Sequence, residues 1–233
     1  MASDPPAHDE LLFIVVHQVY ELWFKQVLWE LESTRAAMFG ADVHLARHLL
    51  TRVHGIERVL IEQIEVLESM SPQDFLAFRM NLAPASGFQS VQFREIEFLS
   101  GLKDARYIER LASTPEERER LTARLEEPTL WDAYCALLGK GGLDMPPDDE
   151  AGRRRSLLTL ARDRERYADE FYLSESLVTH DELFALWRQR HVLMVERQIG
   201  TKTGTGGSTG SSYLRTTLDK RFYPELWELR SYL

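Results

Sequence analysis

Two histidines, far apart in the chain, each lie at the centre of an apolar helical face. In ELFALWRQRHVLMVERQIGTKTGTGGSTG, residues 182–210, a rotation of about 100° per residue puts Phe184, Trp187, His191, Met194 and Val195 on one side. His191 therefore stands inside an apolar stripe, shortly before the glycine-rich segment Gly204–Gly210. An imidazole so placed is either a core residue with satisfied nitrogens or a ligand facing a cavity. Within residues 10–39, Phe13, Val16, His17, Tyr20, Phe24, Val27 and Leu31 recur at helical spacing, with His17 in their midst. A third candidate is Arg79, four residues after Phe75 and next to Phe78, close before the turn Ala83-Pro84-Ala85-Ser86-Gly87. An arginine framed by aromatics and a Ser-Gly turn either holds an anion or is a surface cation.

Other chemistries find no support. The serines lack the G-x-S-x-G context of a nucleophile elbow. Residues 204–210 have no P-loop lysine, follow a helix rather than a strand, and carry Thr209 where G-x-G-x-x-G needs its last glycine. His44 and His48 are one turn apart, but no third ligand is placed beside them, so they read as a solvated face. Arg153-Arg154-Arg155 reads as a solvated turn, with an anion site as the lesser alternative. Two buried imidazoles on separate long helices, amid many aromatics, suit a flat apolar cofactor such as haem, with one histidine on the iron and the other side open for O2 and substrate.

The elements that must position these groups are helical throughout. Helices are expected over 10–39 and 43–69, the second with the seam Leu49, Val53, Ile56, Leu60, Ile64 and Leu67. Ser71-Pro72-Gln73-Asp74 and Thr114-Pro115-Glu116-Glu117 are helix starts. Further helices are expected over 88–99, 114–126, 130–138, 149–175, 182 onward and 213–218, with a break at Pro224. No segment alternates with period two. The expected fold is all-α, a single-domain helical bundle over residues 1–233.

The 233 residues suffice to bury a proper core, and 44% hydrophobic with 28% charged content is ordinary for a globular chain. A net charge of −9 argues against nucleic acid as a partner. No run of 18 apolar residues suggests a membrane span, no secretory signal is visible, and the single Cys135 excludes an internal disulfide. The expected location is cytoplasmic, with a small molecule or another copy of the chain as partner.

Four stretches, HDELLFIVVHQVYELWFKQ (8–26), FLAFRMNLAPASGFQSVQFREIEFLSG (75–101), residues 182–210 quoted above and FYPELWELR (222–230), resemble the tryptophan 2,3-dioxygenase family in that family's order. The resemblance implies a haem b enclosed by the bundle, with His191 as the iron's axial ligand and His17 as the distal histidine that meets the indole N–H. It implies that Phe13, Ile14, Val15, Val16 and Phe75 line the indole pocket. Arg79 would pair with the substrate carboxylate, and Ser86 and Thr205 would sit at its polar end. The implied reaction inserts O2 across the indole C2=C3 bond of L-tryptophan to give N-formyl-kynurenine, and the implied assembly is a homotetramer, with a dimer as the alternative.

Two features depart from the family pattern. Only seven residues precede His8, none aromatic, where the family has a longer arm bearing tyrosines, and Val19 stands where a hydroxyl residue is common. They leave open an oxygenase of secondary metabolism acting on a simpler or substituted indole, with one oxygen atom inserted. A haem-binding helical module without turnover is the non-enzyme alternative.

Overall fold

A computed structural model describes residues 1–82, 89–111, 114–203 and 210–233. Among them only helices and short 3-10 turns occur: α1 (Glu10–Phe39), α2 (Val43–Glu68), α3 (Pro72–Arg79), α4 (Val91–Ser100), α5 (Arg106–Leu111), α6 (Pro115–Glu126), α7 (Leu130–Lys140), α8 (Glu150–Arg162), α9 (Ala168–Ile199), α10 (Ser211–Arg215) and α11 (Pro224–Leu229). The all-α expectation is met among these residues. Polar side chains start most of the elements. Asp42, Ser71, Ser90 and Asp149 each accept a backbone N–H of the first turn, and Thr114 and Thr129 form capping boxes with Glu117 and Asp132.

The helix expected over 149–175 is in fact two. α8 ends at Arg162 and α9 begins at Ala168, so α9 starts 14 residues before the expected Glu182 and runs 32 residues unbroken. The interruption falls on Asp163-Arg164-Glu165-Arg166, an exposed charged run with no apolar side chain to hold a continuous helix against the core. The helix expected from residue 88 begins at Val91, because Ser90 caps it at the Phe93 amide, 3.1 Å away. In the α1–α2 turn the left-handed residue is Ala41 (φ 61°), while Gly40 keeps a right-handed conformation.

α2 lies between α1 and α9 and packs most extensively against both. Its seam is Ala46, Leu50, Val53, Ile56, Leu60, Ile64 and Leu67, all buried, with Leu50 replacing the expected Leu49. α4 and α7 close over α1, and α11 packs on α8 and α9. One continuous apolar cluster joins α1, α2, α7, α8, α9 and the C-terminal segment, and a small satellite of Val91, Phe98, Tyr107 and Leu121 lies under α4 to α6.

Buried polar groups tie α9 in place. Asp181 Oδ2 accepts the Phe222 and Tyr223 amides and the Trp227 indole N–H at 2.9, 3.1 and 2.9 Å. His180 Nδ1 lies 2.6 Å from Glu57 Oε1 and its Nε2 2.9 Å from Ser100 Oγ, so one ring links α9 to α2 and α4. Arg188 donates to Glu97 at 2.9 Å, and Glu97 also pairs with Arg94. Burial works against the Glu97 charge, but the two guanidiniums outweigh it and hold its carboxyl below the usual range. Removing any one partner would strand a desolvated group, so α9 has little freedom to slide or rotate.

α1 is long and apolar enough to cross a membrane by length and composition, with a mean hydropathy of 1.2 over its most apolar window. Its inner face is spent on α2, and its buried Glu30 is paired with Arg52 at 2.7 Å. The outer face stays exposed: Leu11 54%, Val15 44%, Leu22 69% and Trp29 66%.

Candidate functional site

α1 and α3 meet in one aromatic cluster, and α9 meets α1 and α4 in a second. Phe13 and His17, one turn apart on α1, have ring centroids 4.1 Å apart. Phe13 also meets Phe75 at 5.5 Å and Phe78 at 5.8 Å, both from α3. Phe78 is fully buried, whereas Phe13, His17 and Phe75 are half-buried. Arg79 ends α3.

On α9, Phe184 and Met194 are buried, and Trp187, His191 and Val195 are half-buried, so the expected stripe does face inward. His191 reaches no hydrogen-bond partner among the described residues. Burial and the neighbouring His17 lower its pKa to about 4, so it is neutral at physiological pH. His17 is itself held below the usual histidine range by burial. Its Nδ1 lies 2.7 Å from the Phe13 carbonyl oxygen. A carbonyl only accepts, so Nδ1 carries the proton and the neutral ring presents a bare Nε2.

Arg79 is 9% exposed and donates to the Thr203 carbonyl. Among the described residues no carboxylate lies within ion-pairing distance of it. The buried Arg94 and Arg188 do have such a partner in Glu97, and the half-buried Arg153 has one in Glu225. A desolvated guanidinium that lacks an acidic partner is the complement of an anionic ligand. Thr203 directly precedes the 204–209 segment, so this hydrogen bond joins Arg79 to the base of that segment.

The structure thus brings together Phe13, His17, Phe75 and Arg79, with His191 in electrostatic reach of His17. Positions 14–16 divide, because successive helical residues point about 100° apart. Ile14 is half-buried, Val15 is 44% exposed on the outer face of α1, and Val16 is 5% exposed within the core. Ser86 and Thr205 lie outside the described residues. The arginine triplet is absorbed by acids: Arg153 forks onto Glu225, Arg154 pairs with Glu150 and Arg155 with Asp149. His44 is solvent-exposed and lies 3.7 Å from Asp169, as a solvated face should. Among the described residues no group of three histidine, cysteine or acidic side chains could hold a bare metal ion. Two open depressions lie elsewhere, on the outer surfaces of α6 and α8.

The donor set fits haem better than a bare ion. His191 offers a single neutral imidazole without a competing hydrogen bond, stacked on Trp187, with a second neutral imidazole, His17, contributing to its electrostatics. Sequence reading gave Trp187 and Phe78 no part in the site. Trp187 is parallel to the His191 ring, and its position four residues earlier on the same face was the available signal.

Comparison with known proteins places the whole chain among one family. The family model described as tryptophan 2,3-dioxygenase matches residues 1–148 and 148–233. A tryptophan 2,3-dioxygenase of Nocardioides sp. is 61% identical over the whole chain and 88% of its own length. Those of Herpetosiphon aurantiacus and Caulobacter vibrioides are 43% and 42% identical, over 98% and 97% of this chain and 90% of their own lengths. A helical scaffold, an imidazole pair and a family match over the full sequence converge: the chain belongs to the tryptophan 2,3-dioxygenase family and is an oxygenase.

Proposed function

We propose that this chain is a haem-dependent dioxygenase that inserts O2 across the indole C2=C3 bond of L-tryptophan, giving N-formyl-kynurenine and so opening tryptophan catabolism. The observation that carries the reading is Arg79, buried without a carboxylate partner beside the Phe13, Phe75 and Phe78 wall. A simpler indole without an amino-acid tail would leave that guanidinium unpaired.

In this reading His191, within one domain over 1–233, would hold a haem b, which when bound would supply the chemistry of O2 activation. Neutral His191 offers its ring lone pair without first losing a proton. The phenyl wall takes the indole face and keeps water away from it. Arg79 forks onto the substrate carboxylate and fixes the amino-acid end, which turns a bimolecular encounter into a held geometry. The bare Nε2 of His17 accepts a hydrogen bond from the indole N–H and is the atom able to take that proton. Ser86 and Thr205 serve the polar end of the substrate in this reading, and the Arg79–Thr203 link is the support for Thr205 approaching it.

The outer face of α1 supports a homo-oligomer. Leu11, Val15, Gln18, Leu22, Lys25 and Trp29 follow one another at alternating steps of four and three, and all are exposed. That is the spacing of a helix seam awaiting a partner helix. A tetramer of this chain is proposed, with the dimer as its smaller alternative, and the location is cytoplasmic.

Three measurements test this reading. Ferrous, haem-loaded protein given O2 and L-tryptophan should form N-formyl-kynurenine with both added oxygens from O2; turnover only of indoles lacking the tail would overturn the substrate assignment. Arg79→Ala should weaken L-tryptophan binding roughly a hundredfold, about 3 kcal/mol, and leave binding of tail-less indoles nearly unchanged; equal losses would contradict its role. Light scattering of Leu22→Glu/Trp29→Glu should give a smaller particle than the parent protein, and an unchanged mass would remove the α1 seam from the assembly.

A further inference from the structure

The plane of an imidazole is weakly fixed by its own torsion, since rotation between an sp3 and an sp2 carbon has broad wells. A metal-bound histidine is therefore ordinarily oriented by a hydrogen bond from its second nitrogen to a carboxylate or carbonyl. The other buried or half-buried histidines of this chain do have such partners. His17 bonds the Phe13 carbonyl, His54 the Ser176 carbonyl, and His180 both Glu57 and Ser100. His191 has none among the described residues. What it has is Trp187, one helical turn earlier, with ring centroids 5.1 Å apart and ring planes only 5° from parallel.

Trp187 is itself braced from three helices. Phe93 of α4 approaches at 5.2 Å, Phe184 of α9 at 6.2 Å, and Tyr20 and Phe24 of α1 meet it edge-on at 6.1 and 6.5 Å. Tyr20 is anchored in turn by donating to the Leu60 carbonyl at 2.7 Å, which carries the bracing on to α2. The Trp187 indole N–H is buried, with the Tyr20 hydroxyl as its polar neighbour but no hydrogen bond of good geometry. The ring is thus placed chiefly by packing on its faces and edges.

We propose that Trp187 is the positioning residue for His191: its stacked indole sets the plane of the imidazole, in place of the usual acceptor. The proposal rests on the reading of His191 as the haem ligand. It assigns Trp187 no contact with substrate. Its consequence is that the aromatic box of Tyr20, Phe24, Phe93 and Phe184 sets the plane of the imidazole that would hold the haem.

Two measurements test it. In haem-free wild-type protein, NMR signals of the His191 ring protons, assigned by comparison with His191→Ala, should lie upfield of ordinary imidazole positions because they sit over an indole. Resonance at ordinary positions would overturn the stack, whether or not haem binds. In haem-loaded protein, Trp187→Met keeps an apolar side chain but removes the ring. Its ferrous iron–histidine Raman band should broaden or shift and its ferric low-spin EPR g-values should change, while Trp187→Phe, which still stacks, should return both toward wild type. Identical spectra for wild type and Trp187→Met would overturn the positioning role. Failure of wild-type protein to bind haem would instead defeat the ligand reading and leave the NMR test of the stack standing.

Discussion

Burial in apolar surroundings holds both His17 and His191 below the usual histidine range, so both rings are neutral at physiological pH. That constraint organises the site. Burial alone disfavours the imidazolium of His191, and His17 adds to the effect, which leaves a ring lone pair free for a ligand. His17 is locked into one tautomer by the carbonyl of Phe13, itself a wall residue of the same cluster. The geometry holds only if α1 and α9 keep their register. That task falls to buried polar contacts well away from the chemistry: Asp181 gripping the C-terminal segment, His180 bridging Glu57 and Ser100, and Arg188 on Glu97. α2, wedged between the two long helices, supplies the apolar filling that makes those contacts strong.

Much of this was legible in the sequence, for identifiable reasons. Helical periodicity exposes inner faces directly, so Val16, His17, Tyr20, Phe24, Val27 and Leu31 were readable as one stripe and are inward-facing in the structure. Caps such as Thr114 and Ser71 work through local hydrogen bonds, and local signals survive in sequence. What was not legible depends on tertiary context. The break between α8 and α9 sits in a charged run that could equally continue a surface helix; only the buried Tyr167 and Phe171 show where the chain turns inward. The family resemblance treats positions 13–16 as a block, whereas burial in the folded chain distinguishes them: Ile14 is half-buried, Val15 exposed and Val16 in the core.

Arg79 shows both limits together. Its aromatic company and the following turn marked it as a candidate, but no spacing rule says that a buried arginine lacks a carboxylate. That is a property of the folded chain, visible only when the acids near it can be surveyed. Trp187 is a similar case. Its stripe was evident from its position, yet a coplanar stack onto His191 depends on Phe93, Phe184, Tyr20 and Phe24 arriving from their own helices. The site is accordingly a product of helix packing more than of any contiguous motif, which is why four separated stretches of sequence, rather than one, carry the family resemblance.

The central claim, that His191 rather than His17 is the iron ligand, is tested most directly by haem titration of three proteins: wild type, His191→Ala and His17→Ala. The visible spectrum and the stoichiometry are the readouts. The account requires one haem per chain with a histidine-ligated spectrum in wild type and in His17→Ala, and loss of stoichiometric binding in His191→Ala. Full haem retention by His191→Ala, or its loss only on removal of His17, would contradict it.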